Sequence, residues 1–405
     1  MKQYQNYNYR LYTEYIFGLG RTDEVGEVLK RYGAKKVMVV NDPFVESSGL
    51  LARVEKSIHD AGVETVAFGG IKPNPLRSHV NKGVEIAKAE KVDWYLGVGG
   101  GSTMDTAKAI AAAVGWGKDD WYEKFFLQQA PHFHVPFVSN IGVIPTIAAS
   151  GSEGSISIMI MDDIDRNDKF GGGGPNARPK FCILDPQLTL TVPRGQTAAG
   201  AVDMFAHAFE RYFYHDSDCN LSDMWCAGLM KNVMKYGPIA LADPSNQEAR
   251  TELMLSCTYS QNDWLNVGHA DEGRKGGPHY FEGVLSGTFD CTHGVGIGIV
   301  MPAWLEYVAS YNEKGTKRAA QFAMQVMGVE PDTENLEMVA KEGARRLRYW
   351  LKDMGMPSTL KEIGVTEKDM PVLLAHPTLW PDGTHHAFLN LNIQEIEEFY
   401  RSFLE

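Results

Sequence analysis

Short β-branched runs alternate with longer amphipathic stretches through the first half of the chain. The apolar runs fall at Val37–Val40, Thr65–Phe68, Trp94–Val98, Phe137–Ile144, Ile156–Met161 and Phe181–Leu184. Leu50–Ala61 and Val80–Lys88, between the first three, carry a helical period, and Met104–Val114 follows the third. Strands alternating with helices of this length predict βαβ units and a mostly parallel sheet. Near Asp185-Pro186 the pattern changes. From Gln196 onward it predicts long amphipathic helices, including Gln196–Phe213, Leu253–Leu265 and Asn335–Met354. A boundary near residue 186 therefore separates an α/β domain, residues 1–186, from an all-α domain, residues 187–405. Gly171–Gly174 reads as a loop, because strand-like sequence resumes after it. A second loop runs from Gly268 through Arg274 and Lys275 to Pro278.

A chain of 405 residues has room for two such domains. Its net charge of −12 argues against a nucleic-acid or anionic-membrane partner, either of which would need a basic face. No run approaches the roughly 18 apolar residues of a membrane span, and the polar, aromatic start does not resemble a signal peptide. Five cysteines without a CxxC pair suit a reduced compartment, so the cytoplasm is expected.

Trp94–Val114 reads as strand, glycine turn, then helix. In Gly99-Gly100-Gly101-Ser102 the missing Cβ atoms let the backbone approach phosphate oxygens, and the new helix presents free N–H groups. Ser102 can add a hydroxyl, and Asp105 lies in the first helical turn. The spacing is not GxGxxG, and a tight structural connection is the alternative. Asp42, at the end of the first apolar run, can accept hydrogen bonds from an adenosine ribose and repel a 2′-phosphate, favouring NAD over NADP. A helix-capping aspartate would look the same.

Four metal-competent side chains follow: Asp203, His207, His279 and His293. Asp203 and His207 stand at i and i+4 on one helix face among apolar neighbours. A buried carboxylate needs a cation, so a metal ion or a salt bridge is implied there. His279 and His293 lie 14 positions apart. One carboxylate and three imidazoles make a mixed N/O set suited to Fe(II) or Zn(II). His269 is a competing third ligand. His132 and His134 read as loop or strand-edge residues, and His385-His386 as a surface turn.

The chain resembles the iron-containing (group III) alcohol dehydrogenases, within them the butanol dehydrogenase-like branch. The resemblance is carried by YIFGLG at 15–20, Pro73-Asn74-Pro75, GGGSTMDTAKAIA at 99–111 and IPTIAASGSE at 144–153. It continues with Asp185-Pro186, QTAAGAVDMFAHAFERYF at 196–213 and THGVGIGIVMPAW at 292–304. It implies an N-terminal dinucleotide-binding α/β domain and an all-α C-terminal domain, the architecture shared with dehydroquinate synthase-like enzymes, with the active site in the cleft between. It implies Asp203, His207, His279 and His293 as metal ligands. Gly100, Gly101 and Ser102 would meet the pyrophosphate, with Asp105 nearby, and Asn74, Thr146, Ser150 and Lys169 would touch the cofactor. Asp42 falls where an acidic residue accompanies NAD preference. A homodimer joined through the aromatic N-terminal strand (Tyr7, Tyr9, Tyr12) follows the family habit.

Three departures stand out. Asn41-Asp42-Pro43 replaces a glycine-rich turn tolerant of a 2′-phosphate. The 144–153 segment has Ile147 and Ala149 where the family carries a threonine and a glycine. Gly283 stands where the family often has a histidine near the nicotinamide, so no catalytic residue beyond the metal centre is expected. The implied reaction is reversible hydride transfer between NAD(H) and a small alcohol or aldehyde, the metal polarising the substrate oxygen. Polarisation by the metal is expected to outweigh the lost proton relay, since a general base contributes only ~10²–10⁴-fold. Two other readings remain: a polyol or glycerol dehydrogenase or dehydroquinate synthase-like enzyme of the same fold, and a nucleotide-binding protein with a weakened site.

Overall fold

The computed structural model describes residues 9–127, 140–166, 168–214, 220–267, 277–375, 379 and 381–405. Contacts divide the chain into two compact units. One comprises Arg10–Val192 and Ser245–Asn262; the other comprises Met1–Tyr9, Pro193–Pro244 and Asp263–Glu405.

The first unit is built on β1 (Glu14–Phe17), β2 (Lys36–Asn41), β3 (Glu64–Phe68), β4 (Trp94–Gly99), β5 (Ile141–Pro145) and a later strand, Phe181–Leu184. Between them β6 (Ser157–Asp162) and β7 (Asp168–Gly173) form a separate two-stranded sheet, so the later strand is β8. The sheet order is β1-β8-β5-β4-β2-β3, and every pairing in it is parallel. A parallel sheet is covered on both faces, which is why its inner strands read as unbroken apolar runs. Along β2 the side chains alternate: Val37 and Val39 enter one core cluster with Leu96 and Val98, Met38 and Val40 the other with Tyr95 and Val143. Helices Leu50–Asp60, Arg77–Glu90 and Gly101–Trp116 run within this unit as the 3.6-residue periods predict.

The glycine run Gly171–Gly174 departs from expectation. Gly171, Gly172 and Gly173 belong to β7, antiparallel to β6, instead of forming a loop. The glycines mark close backbone approach: a Cβ on Gly172 would lie 2.4 Å from the Phe125 carbonyl oxygen, and one on Gly173 2.2 Å from that of Ile156.

The helix expected at Leu253–Leu265 runs instead over Gln247–Gln261, and Asp263, at φ 66°, follows its end. It packs with the sheet-containing unit. Thr258 donates to Glu153 at 2.8 Å, Arg178 donates to the Asn262 carbonyl at 3.0 Å, and the Cys257 sulfur meets the Gly151 N–H at 3.1 Å.

The second unit is helical apart from a short antiparallel pairing of Thr384–His385 with Leu391–Asn392. Its central helix, Arg194–Phe213, is buried at every position from Thr197 to Phe213, the polar Asp203, His207, Glu210 and Arg211 included. A bidentate pair between Arg318 and Asp223, at 2.6 and 2.8 Å, lies buried beside it, and the Arg318 Nε donates to the Tyr212 carbonyl. His385, expected on a surface turn, is 3% exposed and stacks on Tyr280 at 3.7 Å. An imidazole buries readily when an aromatic face covers it. His132, His134, His269, Arg274 and Lys275 lie outside the described residues. Among the described residues no helix is long and apolar enough to cross a membrane.

Candidate functional site

Two clusters carry the chemistry, one in each unit. In the first, Gly100 caps helix Gly101–Trp116 with extended backbone and no side-chain cap, so the first N–H groups of the helix stay open to an anion. Gly99 has φ +149°, and a Cβ there would lie 2.5 Å from Asp42 Oδ2 and 2.6 Å from the Thr103 hydroxyl. A Cβ on Gly101 would lie 2.3 Å from the Ser150 hydroxyl, and one on Gly100 3.3 Å from Ile147. The segment after β5 is thus laid directly on the turn. The Thr146 N–H also donates to the Gly99 carbonyl at 3.0 Å.

Asp42 does cap a helix: its Oδ1 accepts from the Val45 N–H at 3.0 Å. Its Oδ2 lies 3.4 Å from the Thr103 hydroxyl, beside the glycine turn. The helix-capping reading of Asp42 therefore describes its position. Lys169 Nζ donates to Asn74 Oδ1 at 3.2 Å, and Asn74 holds a left-handed φ of 58°, a conformation kept only where its surroundings enforce it. Ser102 is half-buried and offers its carbonyl to the Thr106 hydroxyl.

Asp105 turns inward, accepting from the Ser152 hydroxyl at 2.5 Å and the Met159 N–H at 2.9 Å. Beside it Lys108, fully buried, donates to the carbonyls of Ser152, Ser155 and Ser157 at 2.6, 3.1 and 3.2 Å. Burial pushes the Lys108 ammonium down to about 8, against the pull of Asp105.

In the helical unit, Asp203 and His207 come from helix Arg194–Phe213, His279 from helix Pro278–Thr288 and His293 from the first position of helix His293–Tyr311. Glycines permit the approach: a Cβ on Gly294 would lie 2.1 Å from the Ala199 carbonyl oxygen. Three Nε2 atoms converge on one oxygen. Asp203 Oδ1 lies 3.2 Å from that of His279, 3.4 Å from that of His207 and 3.6 Å from that of His293. The rings of His207 and His279 stack at 4.7 Å. Donor atoms of Asp203, His279 and His293 all fall within 4.8 Å of one another. The side chains of Asp203 and His207 are 6% and 7% exposed, those of His279 and His293 22% and 35%, so the cluster opens on the side of the last two.

Two residues passed over in the sequence complete the cluster. Glu210 Oε1 lies 3.0 Å from His279 Nδ1, and the Glu282 carboxylate meets His293 Nδ1.

This donor set fits a divalent cation. An imidazole whose Nδ1–H faces a carboxylate presents a bare lone pair at Nε2. Lone pairs aimed at an anionic oxygen repel it unless a cation sits among them. Burial alone would push the Asp203 carboxyl up, but the imidazoles of His207, His293 and His279 outweigh it and hold the group below the usual carboxylate range. Burial drives His207 well below an ordinary imidazole, against the pull of Asp203. Burial also opposes charge on His279, yet the carboxylates of Glu210 and Asp203 raise its pKa to about 10, so without metal a proton takes the cation's place.

Residues 13–186 match the iron-containing alcohol dehydrogenase family, and residues 197–404 match the Fe-containing alcohol dehydrogenase family, C-terminal. NADH-dependent butanol dehydrogenase A of Clostridium acetobutylicum is 31% identical over 98% of this chain and 99% of its own. Probable NADH-dependent butanol dehydrogenase 1 of Bacillus subtilis is 32% identical over 99% and 100%. The crystal structure of NADH-dependent butanol dehydrogenase A from Thermotoga maritima superposes with a TM-score of 0.89 at 31% identity, covering 100% of both chains. With both halves matched in order and relatives aligned end to end, this chain belongs to the iron-containing alcohol dehydrogenase family.

Proposed function

We propose that the chain catalyses reversible hydride transfer between NAD(H) and a small alcohol or aldehyde, with Asp203, His207, His279 and His293 holding one Fe(II) or Zn(II) ion. The convergence of three Nε2 atoms on one Asp203 oxygen carries this reading. When bound, the ion supplies Lewis-acid polarisation of a substrate oxygen and NAD(H) supplies the hydride equivalent. The chain's own residues bind and orient. Asp203 and His207, on one buried helix, form the rigid half of the ion site, and His279 and His293 border its open side. Gly100, Gly101 and Ser102 receive the pyrophosphate at the helix N-terminus, with Asp105 bracing the turn from within. Thr146 and Ser150 lie against that turn, and Asn74 and Lys169 form a polar pair that reaches the cofactor. Asp42 selects NAD over NADP. Nucleotide chemistry thus falls before residue 186 and metal chemistry after it.

The relatives' names favour alcohols and aldehydes over polyols as substrates. Free thiols at Cys182, Cys226, Cys257 and Cys291 suit a cytoplasmic setting. β1 is an edge strand that ends on exposed Phe17 and follows exposed Tyr12, which supports a homodimer through that edge. The test is NADH absorbance with a panel of short aldehydes, with and without added Fe(II) or Zn(II). Metal-dependent NADH oxidation is expected. Cofactor binding without turnover on any aldehyde would favour the nucleotide-binding alternative.

A further inference from the structure

His207-Ala208-Phe209-Glu210 and His279-Tyr280-Phe281-Glu282 repeat one spacing, a histidine of the metal cluster followed by a glutamate three positions on. Three residues are nearly one helical turn, so each glutamate shares a face with its histidine. Each glutamate nevertheless serves the next histidine of the cluster along the chain. Glu210 accepts from the His279 backbone N–H at 2.6 Å and lies 3.0 Å from its Nδ1. Glu282 meets Nδ1 of His293.

Both carboxylates are buried, 6% and 0% exposed, and both sit in glycine-cleared space. A Cβ on Gly277 would lie 3.0 Å from Glu210 Oε1, and one on Gly296 2.7 Å from Glu282 Oε1. Glu282 Oε1 has no hydrogen-bond partner among the described residues, and Nδ1 of His279 and of His293, although within ion-pair distance of Glu210 and Glu282, is not in hydrogen-bonding alignment with them. A buried carboxylate so poorly supplied with donors is costly unless it acts on a charged neighbour.

We propose that Glu210 and Glu282 are positioning residues: each fixes the Nδ1–H of the following histidine and so aims that histidine's Nε2 at the ion held by Asp203. The inference rests on the metal assignment above. Order then passes along the fold, from helix Arg194–Phe213 to His279 and from helix Pro278–Thr288 to His293. The same contact makes each imidazole a stronger donor, because the carboxylate offsets the positive charge that ligation places on the ring.

The full-length wild type, Glu210→Gln and Glu282→Gln are titrated with Zn(II) against a chromophoric chelator, and NADH binding is measured in parallel. A glutamine is neutral and offers N–H as readily as oxygen, so it no longer dictates the tautomer. Each variant should lose about 10–100-fold in Zn(II) affinity while NADH affinity stays at the wild-type value. Nitrogen-15 spectra of the histidines in Zn(II)-loaded wild type should place the proton on Nδ1 of His279 and His293, which decides the matter even where a variant fails to fold. Zn(II) affinities of both variants within twofold of wild type, or a proton on Nε2 in those spectra, would overturn the proposal. Wild type that takes up no Zn(II) would instead overturn the metal assignment itself.

Discussion

Replacing Lys108 by Met separates local order beside the glycine turn from the rest of the molecule. Methionine fills a similar unbranched volume, so the cavity left behind is small. What disappears is an ammonium whose three protons serve the carbonyls of Ser152, Ser155 and Ser157 and the Ser152 hydroxyl, all within 3.2 Å. The three of these acceptors that are buried, the Ser152 and Ser155 carbonyls and the Ser152 hydroxyl, cost about 1–3 kcal/mol each when left unpaired. Against this, the desolvation that pushes Lys108 from 10.5 down to about 8 is relieved, which returns about 3 kcal/mol. The balance is a local loss of about 3 kcal/mol, or about 100-fold in the opening equilibrium of residues 150–160. Hydrogen exchange read by mass spectrometry reports that opening directly, without assuming one cooperative transition for a two-unit chain. Peptides covering 150–160 should exchange about 100-fold faster in Lys108→Met, and peptides from helix Arg194–Phe213 should be unchanged. NADH affinity should fall in the same variant, since Ser150 lies against Gly101. Equal protection of 150–160 in both proteins would refute the reasoning.

Asp42→Ser should raise activity with NADPH relative to NADH by about 10-fold or more, as removal of a charge facing a 2′-phosphate is worth about 1–2 kcal/mol; an unchanged ratio in steady-state assays would contradict the role given to Asp42. Gly101→Ala places a Cβ 2.3 Å from the Ser150 hydroxyl, so NADH binding followed by fluorescence should weaken at least ~10-fold, although alanine is the better helix residue by up to about 1 kcal/mol. Metal binding should release protons. His279, with its pKa raised to about 10, is protonated in the metal-free protein at neutral pH and must lose that proton to ligate, so affinity should rise with pH toward 10 and level off above it. Calorimetry in buffers of different ionisation enthalpy should register about one proton released per ion, and a pH-independent affinity would count against the cluster as described.

The parts of this molecule legible in the sequence are those whose signal is local. Val37–Val40 and Trp94–Val98 read as strands because a parallel sheet buries both their faces, and Gln196–Phe213 reads as a helix because its apolar residues recur at the helical period around Asp203 and His207. Asp203 and His207 betray themselves by being polar within that helix. Contacts distant in sequence were not legible. Gly171–Gly173 looks like a loop until Phe125 and Ile156 are seen pressed against it. Gln247–Gln261 carries no mark that it packs with the sheet-containing unit, because its reasons are single contacts to Glu153, Gly151 and Arg178. His385 read as a surface residue since the ring that covers it, Tyr280, lies a hundred positions earlier. Glu210 and Glu282 resemble ordinary helix-face charges until the histidines they meet are in place. Asp42 shows a further limit: a capping aspartate and a ribose-facing one share one sequence, and here one oxygen caps the helix while the other lies beside the glycine turn.

The central claim is that Asp203 and three imidazoles hold one divalent ion on which turnover depends. Its most direct test is elemental analysis of purified protein alongside NADH-linked aldehyde reduction, for wild type and for Asp203→Ala combined with His279→Ala. Wild type should carry about one Fe or Zn per chain, and the double variant should carry none and turn over no aldehyde while still binding NADH. Undiminished metal and undiminished turnover in the double variant would contradict the account.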